Sequence, residues 1–452
     1  LAAVAATAGA ALALASTVAG GSIPRLHLGG WAPPLGIALV ADGLAAVFAA
    51  MTALVMAAVA LAARHAMAPE AAGARAAFGF WPLLLLLWAA LNAVFVSRDL
   101  FNLYVGIELL TLSAIGLVAI GGRPEALAAA MRYMIFALAG SLLYLAGVVL
   151  VYAGHGALDI GLLAARVPAR TDALALALMT AGLMAKTALF PFHVWLPPAH
   201  AGAPAPASAM LSALVPKASF LILLRLWTQA MPDAATAAAL ALTGGLGAAA
   251  VLWGGLCALA QTRTKLIVAY STVAQIGYLF AVFPLVPLAA GAWSGAVLLA
   301  LSHGLAKAAM FLAVGQWMAA AGGDRPGDLR GLARAMPMSA FAFALAAMSL
   351  AGLPPSGGFT AKYLVMRAAF AAEQWVWAAV MVAGGLLSAA YLYRPLAAIF
   401  AREAAAALAP PPRARQAVPL ALAGAAVALG LVSAGPLALA AAAGPLADGA
   451  AP

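Results

Sequence analysis

The chain has 452 residues, of which 66% are hydrophobic and 8% charged, with one cysteine and a formal net charge of +10. A soluble domain carries about 25% charged residues, so a mean hydropathy of +1.06 excludes a water-soluble body of this size and excludes disorder. The single cysteine excludes a disulfide scaffold, and the 23 basic residues are too dispersed to form a nucleic-acid surface.

What remains is an all-α polytopic membrane protein, in which each span needs about 20 apolar residues. Thirteen apolar stretches follow one another at roughly 1–20, 36–63, 79–97, 100–121, 126–153, 173–198, 205–230, 236–260, 265–283, 290–320, 337–370, 375–397 and 417–439. They are predicted as helices because a helix satisfies its own backbone in lipid, and no alternating barrel pattern is present. The first stretch lacks a basic leader and is read as a membrane helix near a truncated N-terminus rather than a signal peptide.

Basic residues set the expected orientation. Arg64, Arg75, Arg123, Arg263, Lys265, Arg325, Arg330, Arg334, Arg394, Arg402, Arg413 and Arg415 fall in connections on one side, twelve in all. The other side holds Arg25, Arg98, Arg166 and Arg170, which is four. The richer side is expected to be cytoplasmic, putting the N-terminus inside and the C-terminus outside a prokaryotic plasma membrane.

Seven basic residues are left inside the apolar stretches. Arg132, Arg225 and Arg367 sit near helix ends, where a long side chain can snorkel to water. The other four are Lys186, Lys217, Lys307 and Lys362, in a chain with 18 arginines and only five lysines. Arginine holds its proton permanently, whereas a lysine can release one. Fixed charge is thus kept in the connections and exchangeable charge in the apolar interior, the pattern of a proton path.

Eleven of the 13 acids, Glu403 and Asp448 among them, lie in or beside connections. Glu108 is the exception, about two turns inside its helix, where a buried lysine is its natural partner. Asp42 stands at a helix start, where the positive end of the dipole favours a carboxylate; it is read as structural.

Two stretches carry proline breaks. Pro191, Pro197 and Pro198 follow Lys186, with His193 and His200 in the same segment as candidate relays. Pro354 and Pro355 precede Lys362, 176 residues after Lys186. Broken hydrophobic segments in matching positions point to inverted repeats with an ion site. Five-helix repeats are therefore expected at 79–230 and 236–397, flanked by N-terminal helices over 1–78 and a C-terminal helix over 398–452. His303 and Lys307 are four apart and share one helix face. A polar axis through Glu108, Lys186, Lys217, His303, Lys307 and Lys362 is the expected proton pathway.

These residues resemble a known family, the antiporter-like membrane subunits of NADH:quinone oxidoreductase and of Mrp-type cation/proton antiporters. The resemblance rests on the helix around Glu108, KTALFPFHVWLPPAHAGAPAPASAMLSALVPK (186–217), TKLIVAYSTVAQIGYL (264–279), SHGLAKAAMF (302–311) and SLAGLPPSGGFTAKY (349–363). It implies a fold of fourteen helices with two inverted five-helix repeats, against the thirteen stretches marked above. It implies a Glu108–Lys186 ion pair in the first half-channel, Lys217 as the connecting lysine, His303 and Lys307 as the central axis, and Lys362 as the terminal lysine. Lysine at position 362, where one oxidoreductase subunit type carries glutamate, and the lack of a long lateral helix favour a D-type Mrp subunit or a small oxidoreductase-type subunit. The partners implied are other membrane subunits of one complex, with protons, alone or in exchange for sodium, as the ions moved.

No cofactor, metal site or catalytic nucleophile is expected, so any redox chemistry lies in other chains. Gly245 and Gly247 mimic a dinucleotide fingerprint without a preceding strand and are read as helix-packing glycines. The alternative to a subunit of a complex is a stand-alone secondary transporter, which would need a clustered solute site rather than titratable residues spread through successive helices.

Overall fold

A computed structural model of the chain describes residues 1–402 and 409–444. Glu403, Asp448 and most of the chain beyond the C-terminal helix lie outside the described residues. Among the described residues, twelve helical segments are long and apolar enough to cross a membrane. The α-helices of seven residues or more among the described residues are α1 (Ala2–Ala19), α2 (Gly43–Ala66), α3 (Ala74–Val96), α4 (Leu100–Ala119), α5 (Pro124–His155), α6 (Asp172–Thr187), α7 (Leu196–Gly202), α8 (Ala205–Ala213) and α9 (Val215–Arg225). There follow α10 (Ala237–Ala260), α11 (Thr264–Ala281), α12 (Ala290–Ala321), α13 (Pro337–Ala351), α14 (Gly357–Ala371), α15 (Trp375–Ile399), α16 (Arg413–Leu431) and α17 (Ala434–Ala441). Two membrane segments are each built from two successive helices, α6 with α7 and α8 with α9. The apolar stretch expected at 337–370 consists of α13 and α14, each of 15 residues and too short to span alone.

Helix ends alternate between two faces. On the first, a short antiparallel pair, β1 (Arg25–His27) with β2 (Ala38–Val40), leads into Asp42. The Asp42 side chain caps α2 by accepting from the Ala45 N–H at 2.8 Å and accepts two bonds from the Arg225 guanidinium, at 2.8 and 3.0 Å. Arg225 also donates to the Phe95 carbonyl, and Arg98 bridges Asp42 and Gln229. Gln229 in turn donates to the carbonyl of Ala443. One buried ionic cluster thus ties the start of α2, the ends of α3 and α9, and the segment after α17. Arg225 does not snorkel as the sequence suggested; it is fully buried, whereas Arg132 and Arg367 do reach the surface. A buried guanidinium costs too much to leave unpaired, and Asp42 supplies the counter-charge.

On the opposite face, Asp324 accepts from Arg263 at 2.8 Å, and Arg394 donates to the carbonyls of Leu259 and Gln261. Chain direction through α1 runs from this Asp324 face to the Asp42 face, since Val18 packs against Ala41 and Ala46.

Helix lengths recur along the chain. A run of 23, 20 and 32 residues in α3, α4 and α5 precedes the broken α6–α7 segment. A run of 24, 18 and 32 residues in α10, α11 and α12 precedes the broken α13–α14 segment, traversed from the opposite face. Close approach depends on glycine at matching contacts: a Cβ on Gly182 would collide with the Gly140 carbonyl, and one on Gly277 with that of Gly247. Gly247 is therefore a packing glycine as expected, while Gly245 faces open space. The α8–α9 segment beyond Ala205 and residues 295–314 of α12 are buried throughout, so the centre of the bundle is where polar side chains need partners.

Candidate functional site

Three breaks in the helices place the lysines. Proline lacks an N–H, so the carbonyl four residues earlier loses its helical donor. Pro216, in the first turn of α9, leaves the Ser212 carbonyl without its helical donor, and Lys217 Nζ donates to that oxygen at 2.6 Å. Pro354 and Pro355 do the same to Leu350 and Ala351, and Lys362 Nζ donates to these two carbonyls at 2.9 and 3.4 Å. The α8–α9 break was not expected from sequence, where 205–230 reads as one apolar stretch; Pro216 beside Lys217 is the signal that would have found it. In the first broken segment, Pro197 and Pro198 occupy the first turn of α7 and begin a helix rather than end one. That break lies upstream, where Ala188 has a φ of 59° and Trp195 Nε1 donates to the Ala185 carbonyl.

Glu108 on α4 and Lys186 at the end of α6 meet in an ion pair of 2.8 Å. Lys186 also donates to Thr111 Oγ1 at 3.0 Å, and Ser141 on α5 donates to the same carboxylate oxygen of Glu108. Lys186 is almost wholly buried, whereas the Glu108 side chain is 26% exposed. The expected pair is thus present.

From Lys217 the polar side chains continue along α11. Ser212 and Thr272 share a hydrogen bond of 2.8 Å. Lys307 Nζ on α12 donates to the Val268 carbonyl and, at 2.9 Å, to Ser271 Oγ. It also lies 5.1 Å from the Phe311 ring centre, against which the His200 ring stacks at 4.6 Å. His303, one turn before Lys307, and His200 are both buried, and their ring nitrogens have no hydrogen-bond partner among the described residues. One turn beyond Ser271, Gln275 donates to the Leu350 carbonyl at 3.1 Å, the same oxygen that accepts from Lys362. Lys362 itself sits 4.2 Å above the Tyr278 ring.

The structure therefore sets Lys307 and Lys362 against one helix, α11, and links Lys217 to it through Ser212 and Thr272; sequence reasoning did not assign that helix to the pathway. The signal was there: Ser271, Thr272, Gln275 and Tyr278 recur at three- and four-residue steps, the period of one helix face. His193 stands apart, accepting from Trp253 Nε1 at 3.2 Å at the edge of α10. Lys265, expected in a connection, is buried too.

Among the described residues, Lys186 is the one lysine in ion-pair contact with a carboxylate. The others donate to carbonyls and hydroxyls. A neutral amine still has N–H groups to offer such acceptors, so these bonds do not demand the charged form. Within the described residues, no three His, Cys, Asp or Glu side chains are grouped to hold a metal ion.

Comparison with known proteins gives a consistent picture. Residues 97–388 match the family model described as NADH:quinone oxidoreductase/Mrp antiporter, TM. The chain is 39% identical over 407 residues to the N-type subunit of the NADH-quinone oxidoreductase of Desulforudis audaxviator, covering 87% of this chain and 78% of that one. It is 31% identical over 382 residues to the D-type subunit of the Na(+)/H(+) antiporter of Alkalihalophilus pseudofirmus, covering 83% and 76%. Its fold superposes on a chain of the Mrp complex from Dietzia sp. with a TM-score of 0.89 at 29% identity, over 99% of this chain and 91% of the other.

Proposed function

The chain belongs to the NADH:quinone oxidoreductase/Mrp antiporter transmembrane family, and from that premise we propose that it is a proton-translocating subunit of a multisubunit membrane complex. The proton is relayed along Glu108, Lys186, Lys217, His303, Lys307 and Lys362, with His200 beside the centre of the path. One observation carries this reading: Lys217, Lys307 and Lys362 are buried, and their contacts are carbonyls, hydroxyls and aromatic rings rather than carboxylates. Each can lose and regain a proton without breaking a network that depends on its charge. Glu108 supplies the counter-charge for a Lys186 ammonium; separation of that pair frees the Lys186 proton to move inward, and re-pairing recovers it.

The recurrent helix lengths and opposed directions support two inverted repeats, 79–230 and 236–397, each providing one half of the path. We place the Asp324 face, with its excess of arginine, on the cytoplasmic side of a prokaryotic plasma membrane. The partners are the membrane subunits of an Mrp-type antiporter or of an oxidoreductase.

The test is proton movement by the purified complex in liposomes, with Lys307→Arg beside the wild type. The arginine keeps the cation and cannot release the proton. Assembly unchanged and proton flux below about a tenth of wild type is the expected result; normal flux would overturn the reading. Proteins that copurify, small antiporter subunits or flavin and iron–sulfur chains, identify the complex.

A further inference from the structure

The pathway above lacks an opening to the Asp324 face, and Lys265 stands where one is needed. It occupies the first turn of α11 and is 4% exposed. Its Nζ donates at 2.5 Å to the carbonyl of Ala203, which joins α7 to α8. Asp324 attracts the Lys265 ammonium through space but is not in ion-pair contact with it. One carboxylate oxygen accepts from Arg263 at 2.8 Å and the other from the backbone N–H of Lys265 at 3.2 Å. The first turn of a helix also presents the positive end of its dipole, which disfavours a cation there. A lysine that served only to hold α11 in place would gain more from arginine's fixed charge and fork, as used by Arg225 at the Asp42 face and Arg263 at the Asp324 face.

Two routes lead from Lys265 to the axis. Along α11 it lies one turn before Val268, whose carbonyl accepts from Lys307. Through Ala203 it lies three residues from His200, which stacks on the same Phe311 ring that Lys307 approaches. Neither ring nitrogen of His200 has a hydrogen-bond partner among the described residues. We propose that Lys265 is the residue through which the central axis exchanges protons with the Asp324 face, with His200 as the next carrier toward Lys307. The ammonium of Lys265 gives its proton to the free lone pair of the neutral His200 imidazole. His200 passes a proton to the neutral amine of Lys307, and Lys265 recovers one from solvent at the Asp324 face. The groups facing this limb are Arg263 and Asp324 on its own side and Arg123, whose guanidinium reaches the Gly202 carbonyl at 3.5 Å.

This inference rests on the proton-relay reading, and the experiment separates the two. The assembled complex is reconstituted in liposomes with Lys265→Arg, Lys265→Gln or Lys307→Arg, and potential-driven proton flux is read by a trapped pH dye. Both Lys265 variants keep a donor for the Ala203 carbonyl, so should K265R fail to assemble, K265Q carries the same test. Flux in each is expected to fall at least tenfold, and the residual flux to rise with acidity on the Asp324 face only. If K307R is blocked while K265R and K265Q conduct within twofold of wild type, Lys265 is a structural staple and this inference is wrong. If K307R also conducts normally, the relay itself is wrong.

Discussion

Two parts of this molecule bury positive charge, and they do it in opposite ways. At the Asp42 face, Arg225 is fully buried against a carboxylate that accepts both arms of its fork. Arg98 joins the same carboxylate, and burial next to Arg225 pushes its guanidinium down to about 10, still cationic at neutral pH. Burial alone would raise the Asp42 carboxyl, but Arg225, the Ala45 N–H and Arg98 outweigh it and hold it below its ordinary 3.8. Every charge in that cluster is fixed and answered. Along the axis, Lys217, Lys307 and Lys362 meet neutral acceptors, and a proton can leave without stranding an opposite charge. The difference is between charge used to hold helices together and charge kept exchangeable.

The comparison can be broken at either end. The largest expected effect is at the clamp: Arg225→Met leaves Asp42 with its Ala45 cap and a single cation, Arg98 at 3.4 Å, and should cost about 3–5 kcal/mol of stability. Thermal unfolding of the detergent-solubilised complex reads this, and a loss below about 1 kcal/mol would show that the cluster is not a clamp. Next, Lys362→Arg should lower proton flux more than tenfold, about 1.4 kcal/mol or more in barrier, with unfolding unchanged. Equal loss of stability in both variants would erase the distinction drawn here. Arg98→Gln removes a partly exposed partner and should cost less than about 1 kcal/mol, again by unfolding. The smallest effect is with pH. Because the Asp42 carboxyl is lowered on folding, its contribution is fully present above 3.8 and is lost only as pH falls through its folded value. The stabilisation lost in D42N should therefore be constant from about pH 5 to 8; a dependence within that window would contradict the paired state of Asp42.

Much of this arrangement was legible in the sequence. Membrane residence followed from composition, and the sorting of arginine from lysine marked Lys186, Lys217, Lys307 and Lys362 before any contact was known. Glu108 was legible because an unpaired carboxylate two turns inside a spanning helix is too costly to be incidental. Arg225 was not, because a basic residue near a helix end looks the same whether it reaches water or folds back on Asp42, 183 residues earlier. Lys265 was missed for the related reason that a residue at a helix start is counted as a connection, while the Ala203 carbonyl that receives it comes from the α7–α8 junction, 62 residues earlier. The break before Lys217 was hidden because a single proline in a long apolar run reads as continuous. Sequence shows what a side chain can do, and burial depends on neighbours brought in by the fold.

The central claim is that the axis works by proton release from lysine. Lys186→Arg tests it most directly: the arginine can keep the bond to Glu108 and the positive charge but cannot give up its proton. Proton flux by the reconstituted complex should be lost while membrane insertion and assembly stay normal; flux at the wild-type rate would contradict the account.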